Sequence, residues 1–70
     1  MNVAYLRGKI FSKGYNVESF CKACGFVRAT FDRRMNGKSE FDRAEIGIMI
    51  EVLDLTMEDV REIFFAEKVA

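Results

Sequence analysis

The sequence predicts a small all-α protein, and three observations support this. Apolar residues recur at intervals of three and four along most of the chain of 70 residues, which is the period of an amphipathic helix. Residues that typically start or end helices flank these stretches, and no stretch alternates as a β-strand does. Proline is absent and glycine occurs five times, so nothing suggests a linker. We therefore expect one compact domain, residues 1–70, containing five helices.

The first predicted helix covers residues 3–13. Val3, Leu6 and Ile10 share one face of it, with Phe11 beside them, and Gly14 ends it. We expect this helix to pack against the others.

Residues 16–38 are predicted to form two short helices joined by a glycine turn, which is the spacing of a DNA-reading helix-turn-helix. Asn16 is expected to cap the first helix, with Tyr15 packing against Phe20 just inside it. Gly25 is expected to end this helix in the left-handed conformation. The inward residues of this helix are predicted to be Val17, Phe20, Cys21 and Cys24.

The second helix of the pair is predicted to run from Arg28 to Met35. Asn36 and Gly37 are expected to supply its left-handed C-terminal cap. The residues expected to face the core are Phe26, Phe31 and Met35.

The opposite face of this second helix carries the candidate base-reading residues, which are Arg28, Ala29, Asp32 and Arg33. Arg33 is the best candidate, because an arginine can bond guanine O6 and N7 together. Asp32 would repel phosphate, so it accepts from a cytosine, braces an arginine, or shows that this face does not read DNA. We favour bracing of Arg28, four positions before it.

Candidate phosphate contacts surround this helix, and they are Asn16, Arg34, Asn36, Lys38 and Arg43. The alternative for each basic residue is an ordinary surface cation. The net charge is zero, but residues 1–43 contain nine Lys or Arg against four Asp or Glu, whereas residues 44–70 contain two against seven. The chain is therefore polarised, and the basic part coincides with the helix-turn-helix.

This part of the chain resembles the helix-turn-helix of phage repressors and Cro-type regulators, the xenobiotic-response-element-like family. The residues that carry the resemblance are Cys21, Gly25, Phe26, the segment 28–35, and Asn36, Gly37 and Lys38. The resemblance covers nearly the whole chain and is greatest to small prophage proteins of Gram-positive bacteria. It implies a lambda-repressor-like DNA-binding domain of five helices, whose second and third helices form the helix-turn-helix.

The chain differs from that family at two positions. Val27 stands where members usually have a serine or threonine that caps the recognition helix, and an uncapped start costs about 0.5–2 kcal/mol. Val17 stands where members commonly have a glutamine that bonds phosphate or braces a base-reading side chain. Specificity is therefore expected to depend more on Arg28 and Arg33.

Two further helices are predicted after the motif. Asp42 with Glu45 and Thr56 with Asp59 have the spacing of capping boxes, and Asp54 between the helices tolerates a left-handed exit. Hydrophobic staples are expected between Phe41 and Ile46 and between Leu55 and Val60. The inward residues are expected to be Ile46, Met49, Ile50, Leu53, Val60, Ile63 and Phe64.

Phe64 and Phe65 cannot both face inward, because neighbours on a helix lie about 100° apart. One of them is therefore expected to be exposed. An exposed phenylalanine here is either a contact between two copies of the chain or a cap on the edge of the core against the first helix.

The sequence gives little support for a chemical site. Cys21 and Cys24 form a Cys-x-x-Cys, but zinc needs two more ligands and the chain has no His and no other Cys. A redox pair is expected at a helix N-terminus, whereas this pair precedes Gly25. We expect both cysteines to lie in the core, with no metal, no cofactor, no small-molecule substrate and no catalysis.

No apolar run reaches the roughly 18 residues of a membrane helix, and no signal peptide is visible, so we expect a cytoplasmic protein. The favoured function is sequence-specific binding of double-stranded DNA as a small phage-type transcriptional regulator, acting as a homodimer. The rival is a protein-interaction module of the same fold, which uses its acidic half and an exposed phenylalanine to modulate another regulator.

Overall fold

The computed structural model describes residues 1–65, and within them all regular structure is helical. The five helices are α1 (Val3–Ser12), α2 (Val17–Cys24), α3 (Arg28–Met35), α4 (Arg43–Leu53) and α5 (Met57–Phe64). The predicted all-α class and its five helices are confirmed. The end of the predicted domain at residue 70 lies outside the described residues, as do Glu67 and Lys68 of the acidic half.

Side-chain caps begin four of the five helices. The predicted caps of α2, α4 and α5 are all present as reciprocal boxes, formed by Asn16 with Ser19, Asp42 with Glu45, and Thr56 with Asp59. The cap of α1, Asn2, was not predicted; its side chain accepts from the Tyr5 N–H. α3 is the exception, because Val27 has no side-chain atom that can accept a hydrogen bond.

The predicted left-handed residues end two helices as expected. Gly25 closes α2 with φ 77°, and Asp54 closes α4 with φ 53°. At the end of α3 only Gly37 is left-handed, with φ 80°, whereas Asn36 has φ −88°. Asn36 therefore does not supply the left-handed cap predicted for the pair, because Gly37 reverses the chain alone.

The core contains the apolar stripes of all five helices. Its buried residues are Leu6, Ile10, Phe20, Cys21, Cys24, Phe31, Met35, Met49, Leu53, Leu55 and Ile63. Val3, Val17, Ile46, Ile50, Val60 and Phe64, also predicted to face inward, are half-buried against it. Phe11 is 54% exposed, so its predicted place beside the stripe of α1 is wrong. One helical position is about 100° of rotation, and this turns Phe11 away from buried Ile10.

Phe31 lies at the centre of an aromatic cluster that joins α3 to α2 and to the segment before α4. Its ring centroid is 5.9 Å from that of Phe20, 6.2 Å from Phe26 and 5.8 Å from Phe41. The predicted contact of Tyr15 with Phe20 is also present, at 5.9 Å between ring centroids. Because Phe31 is 2% exposed, the cluster fixes α3 from its inner side.

A buried carboxylate joins α1 to α5. Asp59 is 6% exposed, and it accepts from the Tyr5 hydroxyl at 2.9 Å and from the backbone N–H of Thr56 at 3.0 Å. The Tyr5 hydroxyl bonds Oδ1, whereas the Thr56 N–H bonds Oδ2, which also lies 3.1 Å from Lys9 Nζ. These donors hold the pKa of Asp59 below its usual range, with the Thr56 N–H contributing most. The Asp59 carboxylate thus takes part in the cap of α5 and also joins α5 to α1.

Candidate nucleic-acid interface

α2 and α3 form a helix pair joined by a turn of three residues, Gly25 to Val27. The backbone N–H of Phe26 donates to the carbonyl of Cys21 at 2.9 Å, which satisfies a carbonyl at the end of α2. The Phe26 ring is half-buried and stacks on Phe31 with an interplanar angle of 19°. Cys21 is buried at 4% exposure. The turn thus holds α3 firmly against α2.

The outer face of α3 presents the side chains predicted to read bases. Arg28, Ala29 and Arg33 are exposed, and the Asp32 side chain is about half exposed. The Nε–H of Arg28 donates to Asp32 Oδ1 at 3.2 Å, so the contact predicted between these residues is present. Only the Nε–H of Arg28 takes part in this hydrogen bond, so neither terminal amino group of Arg28 bonds to Asp32. Arg33 forms no ion pair within residues 1–65.

Three of the candidate phosphate contacts lie in the loop after α3 and at the start of α4. Asn36, Lys38 and Arg43 are all exposed there. Asn16 is exposed at the start of α2, where its side-chain oxygen accepts from the Ser19 N–H at 2.7 Å. The amide NH₂ of Asn16 is therefore still able to donate to an anion. These four polar side chains have the accessibility that phosphate contacts require.

Arg34, the fifth candidate, occupies a different environment. Its Nε–H donates to Glu45 Oε1 at 3.1 Å, its side chain is 18% exposed, and its guanidinium carbon lies 6.0 Å from the centroid of the Phe41 ring. These contacts tie α3 to the start of α4. Arg34 is therefore less accessible than the other four candidates, and its contact with phosphate stays a prediction.

Glu45 makes two hydrogen bonds near this surface, and the sequence predicted one of them. The same oxygen that bonds Arg34 accepts from the backbone N–H of Asp42 at 2.9 Å. The bond from the Asp42 N–H was predicted, because a capping box depends on a spacing of three residues. No local spacing indicates the partner eleven residues earlier, on another helix.

The two cysteines are buried thiols. Burial raises the pKa of Cys21, and it raises that of Cys24 to about 11. Because the thiolate is the form that binds metals and exchanges disulfides, these thiols are poorly suited to either chemistry. The part of the chain that the structure describes contains no group of three or more metal-ligating side chains.

Phe64 and Phe65 lie at the C-terminal end of α5. Phe64 is half-buried against the core, and Phe65 is 64% exposed, so Phe65 is the exposed member that the sequence left unassigned. Both line a groove of about 450 Å³ together with Met1, Phe41 and Ile46. Among residues 1–65, no helix is long and apolar enough to span a membrane.

Residues 1–67 match the family model described as "Protein of unknown function (DUF739)". The chain belongs to this family. No curated protein and no solved structure matches the chain. The description of the DUF739 family assigns no activity, and the match does not link the chain to the repressor and Cro-type family, so that membership stays a prediction. The functional argument therefore rests on the residues of α2, α3 and the loop after them.

Proposed function

We propose that this DUF739 protein binds double-stranded DNA sequence-specifically, as a small transcriptional regulator of the phage or prophage type, repressor or Cro-like, in the bacterial cytoplasm. α3 enters the major groove, and Arg33 and Arg28 bond to base edges. One observation carries the proposal. The second helix of a helix–turn–helix unit is fixed by its aromatic inner face, while its outer face is exposed and rich in arginine.

The dimensions of α3 suit this role. Arg28 and Arg33 are five positions apart, which corresponds to about 7.5 Å along a helix axis. Successive base pairs are about 3.4 Å apart, so a separation of this size allows the two side chains to reach different base pairs. The Nε–H of Arg28 donates to Asp32, and this bond limits the conformations of the arginine, so that it loses less entropy on bonding a guanine.

Electrostatics supports the same surface. Residues 1–43 carry a balance of +5, from nine basic and four acidic residues, and residues 44–70 carry −5, from two and seven. Lys38 in the loop after α3 and Arg43 at the start of α4 are exposed, as are Arg28 and Arg33. Four cations per copy, on phosphate or base, predict a slope of log K against log salt no steeper than about −4 for each copy bound, and hence modest affinity of a single copy at physiological salt.

Selection from a random duplex pool, at low and at near-physiological salt, tests the proposal. We expect a recurring site, and a two-fold repeat of it if two copies bind together. Arg33→Ala should abolish the sequence preference, whereas Arg61→Ala, which removes an exposed cation from α5, should leave it unchanged. Binding that enriches no sequence and disappears with salt would refute the proposal.

A second candidate is a protein-interaction role, and the exposure of Phe65 favours it. This ring lines a groove that residues of both halves of the chain form, among them Met1 and Phe41, and either a second copy or another regulator could cover it. Phe65→Ala should then abolish association while Arg33→Ala leaves it intact. Sedimentation equilibrium of both variants measures the self-association of the chain. A homodimer that Phe65→Ala disrupts is compatible with DNA binding by α3.

A further inference from the structure

Asp32 lies one helical turn after Arg28 on the outer face of α3, and its carboxylate is only partly engaged. Its Oδ1 accepts from the Nε–H of Arg28 at 3.2 Å. The side chains of Arg28 and Asp32 are 54% and 49% exposed. Within residues 1–65, no donor bonds to Asp32 Oδ2, and Arg28 is the only cation paired with this carboxylate. The pair thus presents donors, on the terminal amino groups of Arg28, and an acceptor, on Asp32.

Contact with DNA would remove water from the exposed half of this carboxylate. A charged group that loses water costs free energy unless hydrogen bonds replace that water. Arg28 already supplies one donor, to Oδ1. Phosphate can supply none, because it carries only acceptor oxygens and the same sign of charge. The second donor, to Oδ2, must therefore come from a base.

The groups that bases present in the major groove decide which base suits Asp32. Guanine presents the acceptors O6 and N7, and thymine presents the acceptor O4 and a methyl group, so neither can donate to a carboxylate. Adenine has a donor at N6, but the acceptor N7 beside it repels a negative charge. Cytosine presents only the N4 amino group. Cytosine is therefore the base that fits an acceptor of this charge best.

We infer that the DNA site contains a cytosine whose N4 amino group donates to Asp32 Oδ2, beside the guanine bonded by the terminal amino groups of Arg28. This inference rests on the proposed function and adds to it a second base and the residue that selects it. The two side chains act as one unit, because Arg28 neutralises the carboxylate that Asp32 brings to the groove. Asp32 excludes guanine and thymine from its position by repulsion between acceptors.

N4-methylcytosine tests the contact at one atom pair. Its methyl group replaces the amino hydrogen that faces the major groove, while the other amino hydrogen still pairs with guanine. Each cytosine of the selected site is replaced in turn, and the dissociation constant is measured by fluorescence anisotropy at near-physiological salt. We expect one replacement in each half-site to weaken binding about tenfold, which corresponds to 1.4 kcal/mol. Equal binding of every methylated duplex would overturn the inference.

Two variants assign the contact to Asp32. Asp32→Ala should bind the methylated and unmodified duplexes equally, and because alanine is the strongest helix former, loss of α3 cannot explain that result. Asp32→Asn should change the selected base from cytosine to adenine, because an amide can bond adenine N6 and N7 together. Glu62→Ala removes an exposed acid from α5, and this control should keep the tenfold difference.

The outcomes separate this inference from the proposed function. A pool that enriches no site refutes both. An enriched site with no cytosine sensitive to methylation refutes the inference and leaves DNA binding standing. The same holds if Asp32→Ala keeps the tenfold difference or if Asp32→Asn still selects cytosine. Loss of the difference in Glu62→Ala as well would also overturn it, because the effect would then not depend on α3.

Discussion

Replacing Phe31 by alanine should remove most of the stability of this protein. Phe31 is 2% exposed and contacts three other rings, whose centroids lie 5.8–6.2 Å away. Truncation of a buried phenylalanine costs about 3–5 kcal/mol. A domain of this size has a free energy of unfolding of roughly 4–10 kcal/mol, estimated from 0.05–0.15 kcal/mol per residue. At the middle of both ranges, Phe31→Ala therefore loses more than half of the free energy of unfolding, about 4 of 7 kcal/mol.

The same substitution at Phe11 is the matched control. Because Phe11 is 54% exposed, Phe11→Ala should change the free energy of unfolding by about 0.5 kcal/mol or less. Urea denaturation followed by circular dichroism measures both variants. Phe31→Leu, which keeps most of the apolar volume, gives an intermediate loss if alanine unfolds the chain. Equal losses from Phe11→Ala and Phe31→Ala would refute the assignment of the core.

Three further predictions concern single sites. Val27→Ser should raise the free energy of unfolding by about 0.5–2 kcal/mol, since it caps the uncapped α3, and an unchanged urea midpoint would contradict this. The lowered pKa of Asp59 means that the folded state binds fewer protons than the unfolded state in acid, so stability should fall as the pH drops below the ordinary value of 3.8. Asp59→Asn should reduce that pH dependence between about pH 5 and pH 2, and an identical pH dependence in both proteins would be evidence against the buried carboxylate contacts. Cys21 and Cys24 should react with a thiol reagent far more slowly in the native protein than in urea at pH 8, because burial keeps them protonated; equal rates would contradict their burial.

The sequence was most informative where the signal is local. The bounds of α3, Arg28 to Met35, were predicted as observed, and so were the caps Asn16, Asp42 and Thr56. Capping boxes depend on a spacing of three residues and core faces on a period of 3.6, and both can be read from a single chain. The exposed face of α3 follows from the same period, once its inner face is known.

Contacts between distant residues could not be predicted in this way. Tyr5 and Asp59 are 54 positions apart, and Arg34 and Glu45 are eleven apart on different helices. Their meeting depends on how the helices pack, which no spacing in the sequence records. For the same reason, the sequence did not show that Arg34 differs from its neighbour Arg33 in having a partner on another helix, and a phosphate contact was expected for it. In the structure Arg34 bonds to Glu45.

The residues of α3 that stabilise the fold lie on a different face from those proposed to bind DNA. A helix of eight residues with no side-chain cap is not stable alone in water, so its conformation depends on the packing of Phe31 and Met35. The outer residues take no part in that packing, and surface substitutions of this kind change stability by less than about 0.5 kcal/mol. Arg33→Ala should therefore leave the urea midpoint unchanged even where it abolishes sequence preference. If α3 binds DNA as proposed, the preferred sequence can change through Arg28 or Arg33 without loss of the fold, whereas a change at Phe31 acts through the stability of the helix.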